Sequence, residues 1–447
     1  MSYLKVKGRS SSRVSVSNFL AGVNATYDPS ILGLGVAENC YNFDFTSGAL
    51  KGCTGFEKMG INAENIWVFT KGEREILMYY NNNKVCYVDN LGKIGTLQGI
   101  TLTGKPKAIA YRLNGEDVVL ICSPTDRMVI WNGVDAPYYV DESPLITSMT
   151  VHYERLFVTT GDEKNTLWFS DDLDPSNWDT SDGAGGFIEL ADERGALIKV
   201  LSFLNYVYIF RERGISRLTA YAEQSEFSIS HLFVTGGRIY PESIALCGDK
   251  VIFASSDGIF TFDGVSTRRI LSNLDGLIIP DENSVAVYRG GKYYLATRAN
   301  FGEDGGFASS YTNNALLIYG EDGYTLMRGY DITDMYTYGD TLYAVIDQKV
   351  YEHRGICDLP KRWTVPQTDL GSGRSKRIKV LYLDTATDVT LTLNVDGTKK
   401  TCFVKGSSTT SRVNINLCGR KFGMTIDCLA DSPRISRPQL VFSLVDD

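Results

Sequence analysis

The sequence has few residues of the kinds that bind metals or hold disulfides. Its 447 residues include only three histidines, His152, His231 and His353, and none has a second histidine at the spacing of a metal site. His353 and Cys357 are four residues apart, but no other ligand pair is near them. The nine cysteines form no CxxC pair, so we predict free thiols in a chain made in a reducing cytoplasm. We expect neither a metal ion nor any other cofactor.

Long apolar runs and an excess of positive charge are also absent. No stretch approaches the roughly 18 apolar residues that span a bilayer, and residues 1–17 carry basic side chains without the apolar core of a secretory signal. The formal net charge of −8 argues against tight binding to a nucleic-acid backbone, which requires clustered Lys and Arg. It is compatible with a channel through which DNA passes, because a weakly acidic wall repels phosphates. We therefore expect no membrane contact and no sequence-specific DNA contact.

Glycine and aromatic residues are plentiful, and they accompany an internal repeat. The chain has 43 Gly, 26 Tyr and 20 Phe, which is typical of short strands joined by tight turns. An apolar run, a turn and a second apolar run recur about seven times, at a spacing of roughly 38 to 50 residues. The clearest copy covers residues 248–264, with its turn at Ser256, Asp257 and Gly258. One hairpin alone is marginally stable, whereas hairpins stacked radially bury each other's faces.

This pattern predicts an all-β protein whose main domain is a β-propeller. We expect about seven blades, or six if one copy is an insertion, and the alternative is a long pair of β-sandwiches. The predicted organisation is an extended N-terminal arm at 1–58 that joins the propeller, the propeller at 59–358, a linker at 359–376 and a C-terminal β-sandwich at 377–447. The sandwich is predicted from five or six alternating strands, and the arm from a segment rich in Gly and Asn.

Motifs of common catalytic sites do not occur. There is no GxSxG nucleophile elbow, and the Gly-rich stretch at 182–186 lacks the Lys-Ser/Thr ending of a phosphate loop. The segment 170–172 superficially resembles the turn motif of sialidase propellers, but the nearby arginines lie on one short stretch and not on successive blades (Arg211, Arg213 and Arg217). We interpret Asp171, Asp172 and Asp174 as solvated loop carboxylates and predict that the chain is not an enzyme. A propeller glycosidase is the less favoured alternative.

Three phrases, in order along the chain, resemble one family. Residues 167–178 combine a strand that ends in Ser-Asp with a following Asp-Pro and Trp, and the C-terminal phrase includes 376–378, 412–417, 419–422 and 434–435. The N-terminal phrase consists of Phe19, Gly22, Asn24, Pro29, Leu32, Gly35, Ala37, Asn42, Gly48, Leu50 and Gly55. Together they resemble the tail hub or nozzle proteins of short-tailed bacteriophages, also called packaged-DNA stabilisation proteins. Cys53 and Thr54 depart from that pattern, in which an Arg-Pro-Gly-like ending is expected.

The resemblance implies a structural virion protein of the phage tail, made in the bacterial host cytoplasm. Such a subunit forms a ring, commonly a hexamer, that continues the DNA channel, retains packaged DNA and opens for ejection. Its implied partners are copies of itself, portal or adaptor proteins, distal tail proteins or tail fibres, and genomic DNA without sequence specificity. The alternative from another class is a monomeric β-propeller binding module for protein or glycan.

Six residues are candidate interface contacts of such a ring. Exposed aromatic side chains are the usual anchors of protein interfaces, and we choose Tyr138, Tyr139 and Trp178 for that role. The basic residues Arg374, Lys376 and Arg377 form too small a cluster for a nucleic-acid footprint. We therefore expect them to be solvated or to contact a neighbouring subunit.

Overall fold

A computed structural model describes residues 11–89, 92–181, 183–221, 224–302 and 305–445. In these ranges the chain forms strands joined by turns, with short 3-10 turns at Pro29–Ile31, Gln224–Glu226, Pro241–Ser243 and Ser272–Leu274. No helix in these ranges has the length and apolar character needed to span a membrane. Five strands precede the first blade: β1 (Ser12–Ser15), β2 (Asn39–Tyr41), β3 (Phe43–Asp44), β4 (Leu50–Gly52) and β5 (Glu57–Asn62).

The next 28 strands, apart from the short extra strand β26 (Ile278–Ile279), build seven four-stranded antiparallel blades together with β5. In each blade the strands are called A to D from the channel outward. Blades 1 to 3 contain β6 (Asn65–Lys71), β7 (Arg74–Asn81), β8 (Lys84–Val88) and β9 (Ile94–Thr96); β10 (Lys107–Leu113), β11 (Glu116–Cys122), β12 (Val129–Trp131) and β13 (Tyr138–Tyr139); and β14 (Ile146–His152), β15 (Arg155–Thr160), β16 (Thr166–Phe169) and β17 (Gly186–Glu189). Blades 4 and 5 contain β18 (Leu197–Phe203), β19 (Tyr206–Arg211), β20 (Gly214–Thr219) and β21 (Ser228–Val234); and β22 (Ala245–Cys247), β23 (Lys250–Ser255), β24 (Gly258–Phe262) and β25 (Thr267–Ile270). The extra strand β26 (Ile278–Ile279) precedes blade 6, which contains β27 (Val285–Arg289), β28 (Lys292–Ala299), β29 (Ala315–Gly320) and β30 (Gly323–Arg328). The last strands of the propeller are β31 (Ile332–Tyr338), β32 (Thr341–Ile346) and β33 (Lys349–Glu352).

Blade 7 closes the ring with strands from two distant parts of the chain. Its A, B and C strands are β31, β32 and β33, and its outer strand is β5, with Tyr351 paired to Lys58 and Glu352 to Glu57. The A strands of blades 7 and 1 also contact each other. Pairing of β5 with β33 ties the beginning of the propeller to its end, so the ring of blades is closed by backbone hydrogen bonds. The prediction of an all-β propeller of about seven blades is confirmed, and the alternative count of six is wrong.

The C-terminal domain is a β-sandwich, as predicted. Its later strands are β34 (Lys361–Thr368), β35 (Lys376–Thr385), β36 (Val389–Val395), β37 (Thr398–Val404), β38 (Ser411–Gly419), β39 (Phe422–Cys428) and β40 (Arg434–Leu444). One sheet has the order β3-β4-β40-β35-β38, with β1 also paired to β40, and the other has the order β2-β34-β39-β36-β37. Burial alternates along β36, so that every second residue enters the core between the sheets.

Two predicted boundaries differ from the structure. The segment expected to be an arm supplies β1 to β4 of the sandwich and β5 of the propeller. These strands have only two to six residues, too short for a period-two pattern to be recognised. Much of the expected linker is β34, which accommodates Pro366 at a register shift between Val365 and Thr368.

The sandwich packs against the outer strand of blade 6. Asn42, which is fully buried, donates from Nδ2 to the carbonyl oxygens of Arg328 (3.0 Å) and Pro360 (2.8 Å), and its Oδ1 accepts from the Arg328 backbone N–H (2.9 Å). Its own backbone N–H donates to the Leu326 carbonyl oxygen (2.8 Å). One continuous apolar core includes residues of the sandwich and of blades 5 and 6, so the two domains are joined by a packed interface.

Candidate functional site

The six residues predicted as interface contacts do not form one surface. Tyr138 is exposed on the outer strand of blade 2, and Arg374 and Arg377 are exposed on the sandwich. Tyr139 is half-buried, and its hydroxyl donates to the Thr101 carbonyl oxygen (2.8 Å) and accepts from the Thr101 backbone N–H (2.9 Å). These candidates are therefore divided between the propeller and the sandwich, and the Tyr139 hydroxyl is already hydrogen-bonded within the chain.

Two of the six are buried, and the expectation that they are exposed is wrong. Trp178 is 4% exposed and packs in the apolar cluster between blades 2 and 3. Lys376 is fully buried, and its Nζ donates to the carbonyl oxygens of Ser372, Arg374 (2.9 Å) and Arg420 (2.8 Å). Three carbonyl acceptors offset the cost of burying the ammonium group. Both residues stabilise the fold of their own subunit.

A cavity of about 500 Å³ in the central channel contains charged residues that the sequence analysis missed. They are Lys105, Lys107, Lys199, Glu242 and Asp334, and each lies in or near the first strand of a blade. Since the A strands line the channel, this recurring position was the one signal in the sequence by which they could have been found.

Ion pairs and hydrogen bonds join these side chains around and across the channel. Lys107 Nζ of blade 2 lies 2.5 Å from Glu242 Oε1, which precedes blade 5, and it also donates to the Thr147 carbonyl oxygen of blade 3 (2.9 Å). Lys105 Nζ lies 3.1 Å from Asp334 Oδ1 of blade 7. Blades 2 and 5 are not neighbours in a seven-bladed ring, so the Lys107–Glu242 pair bridges the channel. This arrangement obstructs passage through the propeller and braces the ring.

Burial and charge shift the pKa values of the channel groups in different directions. Glu242 lies inside the channel with 38% of its side chain exposed. Its partial desolvation there would raise its pKa, but Lys107 and Lys199 outweigh that effect and hold the pKa at about 2. Burial lowers the pKa of Lys199 to about 8, against the opposing effect of Glu242. Burial raises the pKa of Asp334, and Lys105 opposes that rise. Two carboxyl groups with oppositely shifted pKa values in one cavity can indicate a catalytic pair. Here both carboxyl groups contact lysines, as expected of ion pairs that brace the structure.

The bridge predicts an acid-dependent loss of stability that Glu242→Gln should reduce. The pKa of Glu242 in the folded chain lies below its ordinary value of 4.5, so its contribution is present above about pH 4.5 and is lost as the pH falls toward 2. For a side chain that is 38% exposed, we expect a contribution of about 1 kcal/mol after solvent screening. Urea titrations from pH 7 to pH 2.5 should show a shallower pH dependence for the variant. Equal slopes for the two proteins would contradict the assignment.

One face of the propeller carries most of its exposed apolar side chains. Because neighbouring strands are antiparallel, all A–B and C–D turns lie on the same face, and the B–C turns and blade connections lie on the other. Eight exposed apolar residues belong to the first of these faces, at or beside its turns. We call this set the apolar face: Ile94, Val134, Tyr153, Leu173, Leu204, Tyr221, Leu246 and Val265. The Tyr153 and Tyr221 rings lie side by side, with centroids 5.5 Å apart.

Three members of the apolar face also have an unfavourable backbone conformation. Tyr153, Leu173 and Leu204 are 50%, 54% and 53% exposed and have φ values of 45°, 61° and 46°. A side chain at such φ values costs roughly 1–2 kcal/mol relative to glycine's freedom there. Because these large apolar side chains are exposed, they bury no apolar surface that would offset this conformational cost. These positions therefore lower the stability of the isolated subunit, as functional contact residues often do.

No arrangement of three or more His, Cys, Asp or Glu side chains within the described ranges is suited to hold a metal ion. Of the residues considered for a sialidase-like site, Arg211 is fully buried and lies 2.8 Å from Asp192, whereas Arg213 is exposed. Ser170 is buried, and its hydroxyl accepts from the Leu156 backbone N–H (3.1 Å). These residues anchor turns and blades in their own surroundings.

Comparisons with known proteins give no family. No family model and no curated protein matches the chain. Among solved structures, streptogramin B lyase is 11% identical with a TM-score of 0.45, covering 67% of this chain and 96% of its own. BamB from Moraxella catarrhalis is 12% identical with a TM-score of 0.37 (68% and 96%), and BBS1N in complex with ARL6DN is 10% identical with a TM-score of 0.44 (68% and 98%). Likenesses at this level carry no argument about activity or partners.

Proposed function

We propose that this chain is a non-catalytic β-propeller that acts by binding other protein subunits through its apolar face. The observation that carries the proposal is the set of three exposed apolar side chains at positive φ, Tyr153, Leu173 and Leu204. Glycine at each of these positions would relieve the backbone conformation of an isolated subunit. Burial of each apolar side chain by a partner would stabilise the complex. A protein interface explains both features together.

More specifically, we propose a ring subunit of a phage tail nozzle. The resemblance of the three sequence phrases supports this, and the N-terminal and C-terminal phrases meet in one sandwich. There Phe19 of the first phrase lies against Trp363, with ring centroids 5.0 Å apart. Ile378 and Ile435 of the last phrase are buried in the same core as Phe19. A propeller with a firmly docked sandwich is a rigid building block for a ring.

In such a ring, DNA would pass along the axis between subunits. The bridge between Lys107 and Glu242 obstructs the channel within each propeller, so that channel would not serve as the route. A net charge of −8 fits a passage whose wall does not retain phosphates. The proposed partners remain copies of this chain, portal or adaptor proteins and distal tail proteins or fibres, in the tail of the virion.

The first test is the mass of the purified full-length protein by light scattering over a concentration series, followed by negative-stain imaging. We expect rings of about six subunits, with a hole wider than the roughly 20 Å of duplex DNA. A monomer at every concentration would contradict self-assembly through the apolar face. It would favour the second candidate, a monomeric binding module that uses the same face for a different protein.

Replacing Leu173 and Leu204 by glycine should separate assembly from stability. The free energy of unfolding of the double variant is expected to be unchanged or higher by about 0.5–1 kcal/mol, because glycine relieves the left-handed conformation. Urea titration measures this effect. The double variant should form rings at least tenfold more weakly, since it removes two contacts of the interface. Sedimentation velocity measures the second effect.

Asn205→Gly is the matched control for that experiment. Asn205 follows Leu204 in the same turn and also has a positive φ of 62°, but it presents no apolar side chain. The control should assemble like the unmodified protein. Equal assembly by the Leu173→Gly/Leu204→Gly variant would show that the apolar face is not the contact.

A further inference from the structure

A second cavity, of about 770 Å³, lies between the two domains and contains none of the channel residues. One wall is the outward side of the five-stranded sheet of the sandwich, and the other consists of a loop at 24–29 and parts of blade 6 near 276 and 300. We call this cavity the interdomain cleft. It is open to solvent, and its size is within the range of small-molecule and oligosaccharide sites.

The sheet side of the cleft presents hydroxyl groups in a regular row. Thr364 of β34 is paired with Thr425 of β39, and Thr425 with Thr392 of β36. Residues paired in this way point to the same side of a sheet, with neighbouring strands about 4.8 Å apart. Neither Thr364 nor Thr425 has a side-chain hydrogen bond within the described part of the chain. Their hydroxyls are therefore available to a ligand.

The lining of the cleft favours an uncharged polar ligand. Eight of its side chains are amides or threonine hydroxyls, whereas one carboxylate, Glu38, and one amine, Lys399, are the charged groups. A phosphate or carboxylate ligand would require more positive charge than this, and an apolar ligand would leave the hydroxyls and amides unpaired. Amides and hydroxyls are both donors and acceptors, as a neutral sugar requires.

One further residue supports this chemistry. Tyr27, 63% exposed, also lines the cleft and offers an aromatic face on which the apolar side of a sugar ring can stack.

We propose that the interdomain cleft binds a neutral oligosaccharide. The Thr364 and Thr425 hydroxyls hydrogen-bond to sugar hydroxyls, and Tyr27 stacks on a ring. This site is independent of the apolar face, so it goes beyond the proposed assembly function and does not rest on it.

The test is titration of the full-length protein with tetrasaccharides, with binding measured by calorimetry and saturation-transfer NMR. The neutral probes are cellotetraose, maltotetraose and chitotetraose, and the anionic probe is tetragalacturonate. We expect at least one neutral probe to bind with a Kd below about 10 mM and more tightly than the anionic one. Failure of every neutral probe, or preference for tetragalacturonate, would overturn the proposal.

Variants locate the binding in the cleft. Thr364→Val with Thr425→Val, and separately Tyr27→Ala, should each raise the Kd by about tenfold, as expected for the loss of two hydrogen bonds or one stacking contact. Thr390→Val is the matched control, since Thr390 faces the same side of β36 but does not line the cleft. Thermal melts show whether each variant is folded. Unchanged binding by both cleft variants would place any sugar site elsewhere.

Discussion

Trp363→Ala is expected to lower the free energy of unfolding of the sandwich by about 3–5 kcal/mol. Trp363 is fully buried, and its ring lies against Phe19 (5.0 Å) and Phe45 (5.6 Å) in edge-to-face arrangements. Phe19 and Phe45 come from the N-terminal segment, so the variant removes one of the contacts that join this segment to the C-terminal domain, beside the pairing of their strands. Hydrogen exchange of the sandwich amides, measured at increasing urea concentration, gives the loss of stability in this domain separately from the propeller.

A double-mutant cycle with Phe19→Ala makes this test specific. Phe19 is also fully buried, and two residues in contact should show an interaction energy of about 0.5–3 kcal/mol in the cycle. Phe187→Ala, at a half-exposed position on blade 3, is the matched control and should change stability by less than about 0.5 kcal/mol. Strictly additive effects of Phe19→Ala and Trp363→Ala would mean that these two rings are not in contact in the sandwich core.

Arg211→Ala is expected to destabilise the propeller by about 2–4 kcal/mol, because it leaves two buried carbonyl groups without a donor and removes one of the two arginines paired with Asp192. The guanidinium of Arg211 is fully buried and lies 2.8 Å from Asp192 Oδ1. It also donates to the carbonyl oxygens of Leu190 and Gly195, the latter from Nε at 2.9 Å. These acceptors lie on the connection between blades 3 and 4, so the arginine fixes one blade to the next.

Two substitutions complete the experiment at Arg211. Arg213→Ala is the control, since Arg213 lies two residues away at the same turn but is exposed, and we expect a change below about 0.5 kcal/mol. Arg211→Lys should recover only part of the loss, because an ammonium group cannot reproduce the planar fork of the guanidinium. Melting temperatures from calorimetry distinguish these results. A loss of the same size in Arg213→Ala would indicate that the turn, and not the buried ion pair, determines the effect.

The blade count and the general position of the sandwich could be predicted because they depend on local pattern. Each blade contains a hairpin whose strands are adjacent in sequence, and the turn residues indicate where each strand ends. Asn82 and Asn83, for example, both have positive φ, as a two-residue turn between antiparallel strands requires. Alternation along β36 similarly predicts a strand with one buried side.

Burial of single side chains within turns could not be predicted in the same way. Trp178 and Lys376 lie in segments rich in polar residues and turn residues, which predicts exposure. Trp178 is buried because the chain after β16 folds back on blades 2 and 3, and Lys376 because three carbonyl groups of the sandwich converge on it. Neither arrangement leaves a mark in the neighbouring sequence.

The sequence by itself determined the repeated hairpins, the all-β class and the lack of common catalytic motifs, since these follow from residue type and short-range spacing. Only the tertiary structure decided which segments pair at a distance: β1 to β4 with the sandwich, β5 with blade 7, and Lys107 with Glu242 across the channel. It alone brought the residues of the apolar face together and set the threonine row opposite Tyr27. The physical reason is that long-range pairing depends on the whole set of competing partners, which no local period records.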